Sequence, residues 1–231
     1  MPVLRPKMII GELYHVYNRG VEKRIIFVTR QHYMRFVAAM RFFNTSRQVT
    51  LRDFLGSNSA KTTGVQPLQA GRRLVQIGAF ILMPNHFHFL LKPLVEGGIS
   101  LFMQKLGSGY TAFFNLKHSR SGVLFQGRYK VKYIDSDRYA RYIQAYIPLN
   151  ALDRAMPDWR ENGIKKIGEA KRIASVYPWS SFSSYIGENS FPDILEPTFI
   201  HDFFETKKEF ENFVFSWSED DNKYMPGAVA G

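Results

Sequence analysis

The chain has 231 residues, 45% of them hydrophobic and 15% aromatic, which is too much buriable surface for a disordered or fibrous protein. Thirty-one Lys and Arg against 20 Asp and Glu leave a formal charge of +11, which favours a polyanionic partner such as nucleic acid without specifying a reaction. The absence of cysteine excludes disulfides, thiolate zinc clusters and cysteine nucleophiles, so any metal must be held by nitrogen and oxygen.

The first residues, MPVLRPKMIIGELYHVYNRG, lack the long apolar stretch of a signal peptide. No run approaches the roughly 18 apolar residues of a spanning helix. A cytoplasmic protein with one principal core is expected. Residues 8–18 alternate like a strand, and Asn18, Arg19 and Gly20 signal a turn before a helical stretch around 30–45. The interval 46–73, rich in Ser, Thr, Asn and Gly, reads as a mobile insertion with a short helical piece near 50–55. LVQIGAFIL (74–82) and HFHFLLKP (86–93), separated by Met83, Pro84 and Asn85, suit an antiparallel hairpin. A helix follows over 98–117, weakened by Gly107 and Gly109. RYKVKYID (128–135) alternates as a strand, and residues 135–147 form a further helix capped by Asp135, Ser136 or Asp137.

The order β-α-β-β-α-β fits an α+β, ferredoxin-like core: an antiparallel sheet with two helices on one face and the last helix available for the other. Residues 1–156 are read as this core. Residues 157–231 are read as a C-terminal extension packing on it, with a disordered tail from about 220.

His86 and His88 are two apart in a strand, so both imidazoles share one face with Leu90, while Phe87, Phe89 and Leu91 take the other. Taken alone, such a pair is more often structural than ligating. In the last helix Tyr139, Tyr142, Ile143, Tyr146, Ile147 and Asn150 follow i, i+3, i+4 spacing, which puts Tyr146 and Asn150 on one stripe. Periodicity does not choose between Tyr142 and Tyr146, and an amphipathic packing stripe explains the same pattern. Pro148 removes a backbone donor and disfavours helical geometry at Ile147, predicting a distorted register between Tyr146 and Asn150.

MPNHFHFLL (83–91), the segment from Phe113 to Asn150 containing FQGRYK and YIPLN, and YPWSSFSSYIG (177–187) resemble the single-tyrosine HUH transposases, especially the REP-associated group. The resemblance spans roughly residues 10–187 and keeps the family's motif order. Ala151 departs from it, since the family carries Asn-Pro there.

The resemblance implies that His86, His88 and Asn150 bind a divalent ion, Mg²⁺ or Mn²⁺, and that Tyr146 is the nucleophile. It implies nicking and joining of hairpin-bearing single-stranded DNA through a 5′-phosphotyrosine, by a monomer or a homodimer. Lowering of the tyrosine pKa by a metal or nearby cations is expected. Lys117, Arg120, Arg128, Lys130 and Lys132 are candidate phosphate contacts. Tyr110 and Trp179 are candidate stacking residues, with core packing the competing role for Trp179.

Two rival readings are a catalytically inactive module that binds single strands and a metal-dependent phosphoesterase. The two-histidine phosphoesterase motif is absent, because His88 is followed by Phe89 and Leu90.

Overall fold

A computed structural model describes residues 7–56, 71–188, 191, 193–196 and 198–217. The core strands are β1 (Leu13–Arg19), β2 (Val75–Met83), β3 (His86–Pro93) and β4 (Lys130–Ile134). They pair antiparallel in the order β2-β3-β1-β4. Helices α1 (Arg30–Phe43), α2 (Leu51–Gly56) and α3 (Gly98–Lys117) fall between them, and α4 (Asp137–Leu149) follows β4. This is the α+β, ferredoxin-like arrangement expected from the element order. Residues 57–70 of the expected insertion and the tail from 218 lie outside the described residues.

β2 and β3 are buried nearly throughout, since both sheet faces are covered there. On one face Phe36 of α1 packs against Phe87 and Phe89 of β3 and meets Tyr110 of α3 edge to face. Each such side chain, fully removed from water, contributes roughly 1.5–3 kcal/mol. Gly109, expected to weaken α3, instead makes room for α1: a Cβ there would lie 2.3 Å from Cε2 of Phe43. Tyr110 is buried in this layer and its hydroxyl donates to the Ile26 carbonyl at 2.6 Å, so it offers no surface for stacking.

α4 covers the other face, starting at Ser136, whose hydroxyl accepts from the Tyr139 N–H. The helix continues through Pro148 to Leu149 and then tightens into a 3-10 turn over Asn150–Leu152, so the register changes at Asn150. The Asn150 backbone N–H turns to the Ile147 carbonyl, and its side-chain Nδ2 donates to the Tyr146 carbonyl at 2.7 Å.

The C-terminal extension carries α5 (Trp159–Asn162), α6 (Ile167–Val176), α7 (Thr198–His201) and α8 (Lys207–Phe215). Before α7 it runs along the outer edge of β2, where the Leu82 N–H donates to Trp179 and the Ser181 N–H to Phe80. This satisfies an edge that would otherwise stand open. Trp179 stacks on Tyr33 with ring centroids 4.7 Å apart, which settles it as a packing residue.

Candidate active site

Strand alternation places His86, His88 and Leu90 of β3 on the α4 face, with His15, Tyr17 and Arg19 of β1 as their cross-strand neighbours. His86 and His88 have ring centroids 5.1 Å apart and stand edge to face. His86 is half-buried, and its Nδ1 lies 2.7 Å from Asn85 Oδ1. With that oxygen accepting, His86 Nε2 keeps its lone pair. His88 is buried, and its Nδ1 meets Nε2 of His15 at 2.9 Å. Among the described residues, Nε2 of His88 has no hydrogen-bond partner.

All three imidazoles are held neutral. Burial, followed by the charge of Lys132, lowers His15 to about 3. Burial, then Arg19 and Arg160, lowers His86 to about 4. His88 is pushed well below the ordinary histidine value, first by burial and then by His15, His86 and Arg160. Neutral imidazole is the form that binds a cation.

Of the two tyrosines that periodicity left open, Tyr146 meets the histidines. Its ring stands edge-on to His88 at 5.7 Å and to His15 at 6.1 Å. Tyr142 stacks behind it, its ring 4.8 Å from that of Trp217. Tyr146 is only 4% exposed, and the protein's own groups raise its hydroxyl pKa. Burial dominates, opposed by the charge and hydrogen bond of Arg160.

Asn150 lies on the Tyr146 stripe, as its spacing predicts, and is buried. Its Oδ1 accepts from Arg160 Nη2 at 2.8 Å, and Arg160 also pairs with Asp153 at 2.6 Å. Trp159 Nε1 donates to the same carboxylate at 2.9 Å. Arg160, Asp153 and His15 thus join a site in which sequence reasoning had not placed them. Only the alternation of β1 signalled His15, and no local pattern pointed to Arg160.

The five candidate cations are dispersed. Lys130 and Lys132 lie opposite Tyr17 and His15 on β4, exposed beside the histidine face. Arg128 is exposed just before that strand. Lys117 donates to Gln31 Oε1 at the far end of α3. Arg120 braces Asn115 Oδ1 and the Val123 carbonyl.

Two imidazole nitrogens, one of them buried and unpartnered, together with an amide oxygen make a donor set suited to a divalent transition ion. His86 and His88 fit such a group directly. Asn150 fits once its oxygen is shared with, or released by, Arg160. Among the described residues no cluster of three His, Asp or Glu offers an alternative, and no helix is long and apolar enough to cross a membrane.

Residues 68–150 match the family model described as "Transposase IS200 like". That stretch contains β2, β3, α3, β4 and α4. Among solved structures, one described as the structure of a REP-associated tyrosine transposase bound to a REP hairpin matches with a TM-score of 0.52 and 18% identity. The match covers 85% of this chain and 92% of that one. No curated protein matches. Residues 68–150 are thus similar to the IS200-like transposases, and the chain shares its fold with a REP-associated tyrosine transposase.

Proposed function

We propose that the protein is a metal-dependent single-stranded DNA endonuclease and strand transferase that acts at hairpin-bearing DNA. The supporting observation is the convergence of Tyr146 on His88, ring centroids 5.7 Å apart, with the Arg160 guanidinium over the tyrosine ring. The relative bound to a REP hairpin suggests the kind of DNA.

His86, His88 and Asn150 hold the ion and Tyr146 is the nucleophile. When bound, Mg²⁺ or Mn²⁺ supplies Lewis-acid polarisation of the scissile phosphate, and two imidazole donors favour Mn²⁺. The hydroxyl oxygen of Tyr146 forms the new bond to phosphorus as it loses its proton, the bond to the departing 3′ oxygen breaks, and that oxygen takes up a proton and leaves as a hydroxyl. The 5′-phosphotyrosine conserves the phosphoester, so another strand's 3′-hydroxyl reverses the step and completes transfer. Arg160 offsets negative charge on the phenolate and the phosphate. Lys130 and Lys132, beside the histidine face, and Arg128 guide the strand, with Lys117 and Arg120 contacting phosphates farther along.

Incubation of wild type and Tyr146→Phe with labelled hairpin DNA and Mn²⁺, resolved on a denaturing gel, tests this reading. A protein-linked fragment lost in the variant and with chelator is expected. Cleavage that persists in the variant assigns attack to water or Tyr142. The near-complete burial of Tyr146 beside Trp159 and Trp217 favours one second reading, a binding protein that no longer cleaves. Binding without any adduct is its signature.

A further inference from the structure

On the sheet face opposite the histidines, α3 and the segment 122–129 enclose a groove of about 1030 Å³. The α3 wall contributes Gln104, Ser108, Thr111 and Asn115, spaced four, three and four apart so that they form one polar stripe. Phe36 and Phe87 lie at its base. Arg128 lines it, and no Asp or Glu does. Gly107 also lines it, and a Cβ there would meet nothing within 4 Å. An apolar base, hydrogen-bonding walls and a cation without a countercharge match a chain of planar bases on a phosphate backbone.

The groove is also continuous with the proposed reaction site. Asn18 and Phe87, paired across β1 and β3, line it. The next rung of the same ladder is Arg19 with His86, on the other face. The groove and the histidines therefore lie at the same end of this ladder, on opposite faces, and a strand passing round that end reaches both. The Asn18 side chain holds the junction, its Nδ2 donating to the Gly127 carbonyl at 3.1 Å.

We propose that this groove holds a short run of unpaired DNA contiguous with the strand whose phosphate lies at Tyr146. The inference rests on the strand-transferase reading and gives it a second, non-catalytic contact. The test is fluorescence anisotropy in EDTA, which keeps binding separate from nicking. The DNAs are a bare hairpin and the same hairpin with about six unpaired nucleotides 5′ or 3′, within the usual site size of single-strand grooves. Gly107→Glu fills the groove with a negative charge, and Thr111→Glu does so from a second position.

Each variant is expected to raise Kd for at least one tailed hairpin about tenfold and to leave the bare hairpin unchanged, with Gly107→Ala behaving as wild type. Unchanged affinity for both tailed hairpins overturns the proposal, as does equal weakening of the bare hairpin. A shift in sedimentation of Gly107→Glu from dimer to monomer also overturns it and assigns the groove to a second copy. Adduct formation at Tyr146 is scored separately, so the groove can fail while the proposed chemistry stands.

Discussion

Nε2 of His15 lies 2.9 Å from Nδ1 of His88, joining the centre of β1 to the histidine pair of β3. If His88 Nδ1 donates across this contact, His88 Nε2 keeps the lone pair a cation needs. His15→Phe removes the acceptor and should weaken Mn²⁺ binding about 10–100-fold, the usual effect of losing an outer-shell partner. His15→Gln, whose side-chain oxygen can accept, should recover part of it. Counting free Mn²⁺ by electron paramagnetic resonance reads this without turnover, and equal affinity in His15→Phe would refute it.

Arg160 ties Tyr146, Asn150 and Asp153 into one cluster. Arg160→Met should slow nicking by about two orders of magnitude, comparable to losing one preorganised stabilising donor. The Tyr146 hydroxyl, already raised by burial, should titrate at still higher pH. Single-turnover nicking and ultraviolet titration against Tyr146→Phe check both. A nicking rate within twofold of wild type would remove Arg160 from the mechanism.

Gly107 and Gly109 should respond oppositely to alanine. At Gly109 a Cβ would press on Phe43, 2.3 Å away, so Gly109→Ala should cost about 1–3 kcal/mol by overpacking. At Gly107 the space is open, and alanine should add up to about 1 kcal/mol through helix propensity. Urea denaturation of the two variants measures the contrast.

His32, buried at the start of α1, is lowered to about 4, chiefly by burial and then by His118 and Lys117. Its Nε2 lies 2.8 Å from Nε2 of His118. With the folded value depressed, the unfolded chain binds the extra proton between about pH 6.5 and pH 4. Stability is therefore fully present above about 6.5 and is lost as pH falls through that window. His32→Gln should flatten this part of the Tm against pH curve, and an unchanged slope would show that His32 does not contribute to it.

Elements whose period matches their burial were legible in the sequence. His86 and His88 share a face because strands alternate, and Tyr146 and Asn150 share a stripe because helices repeat every 3.6 residues. The choice between Tyr142 and Tyr146 was not local. It depends on how α4 crosses the sheet, which brings Tyr146 to His88 and Tyr142 to Trp217. His15 required strand register, and Arg160 required the return of a chain segment with no periodicity. Pro148 does not end α4, but beyond it the Asn150 N–H leaves the Tyr146 carbonyl, which takes the Asn150 side chain as its partner instead.

The indoles of Trp159 and Trp217 lie 5.0 Å apart, and each is within 6.3 Å of the Tyr146 ring. Only Trp179 completes the set of three, and it sits on Tyr33 at the edge of β2. The protein therefore carries its own optical probe. Tryptophan emission, after subtraction of the Trp179 signal with a Trp179→Phe variant, reports wetting of the tyrosine pocket. Stopped-flow mixing with DNA would time the entry of a strand without any attached dye.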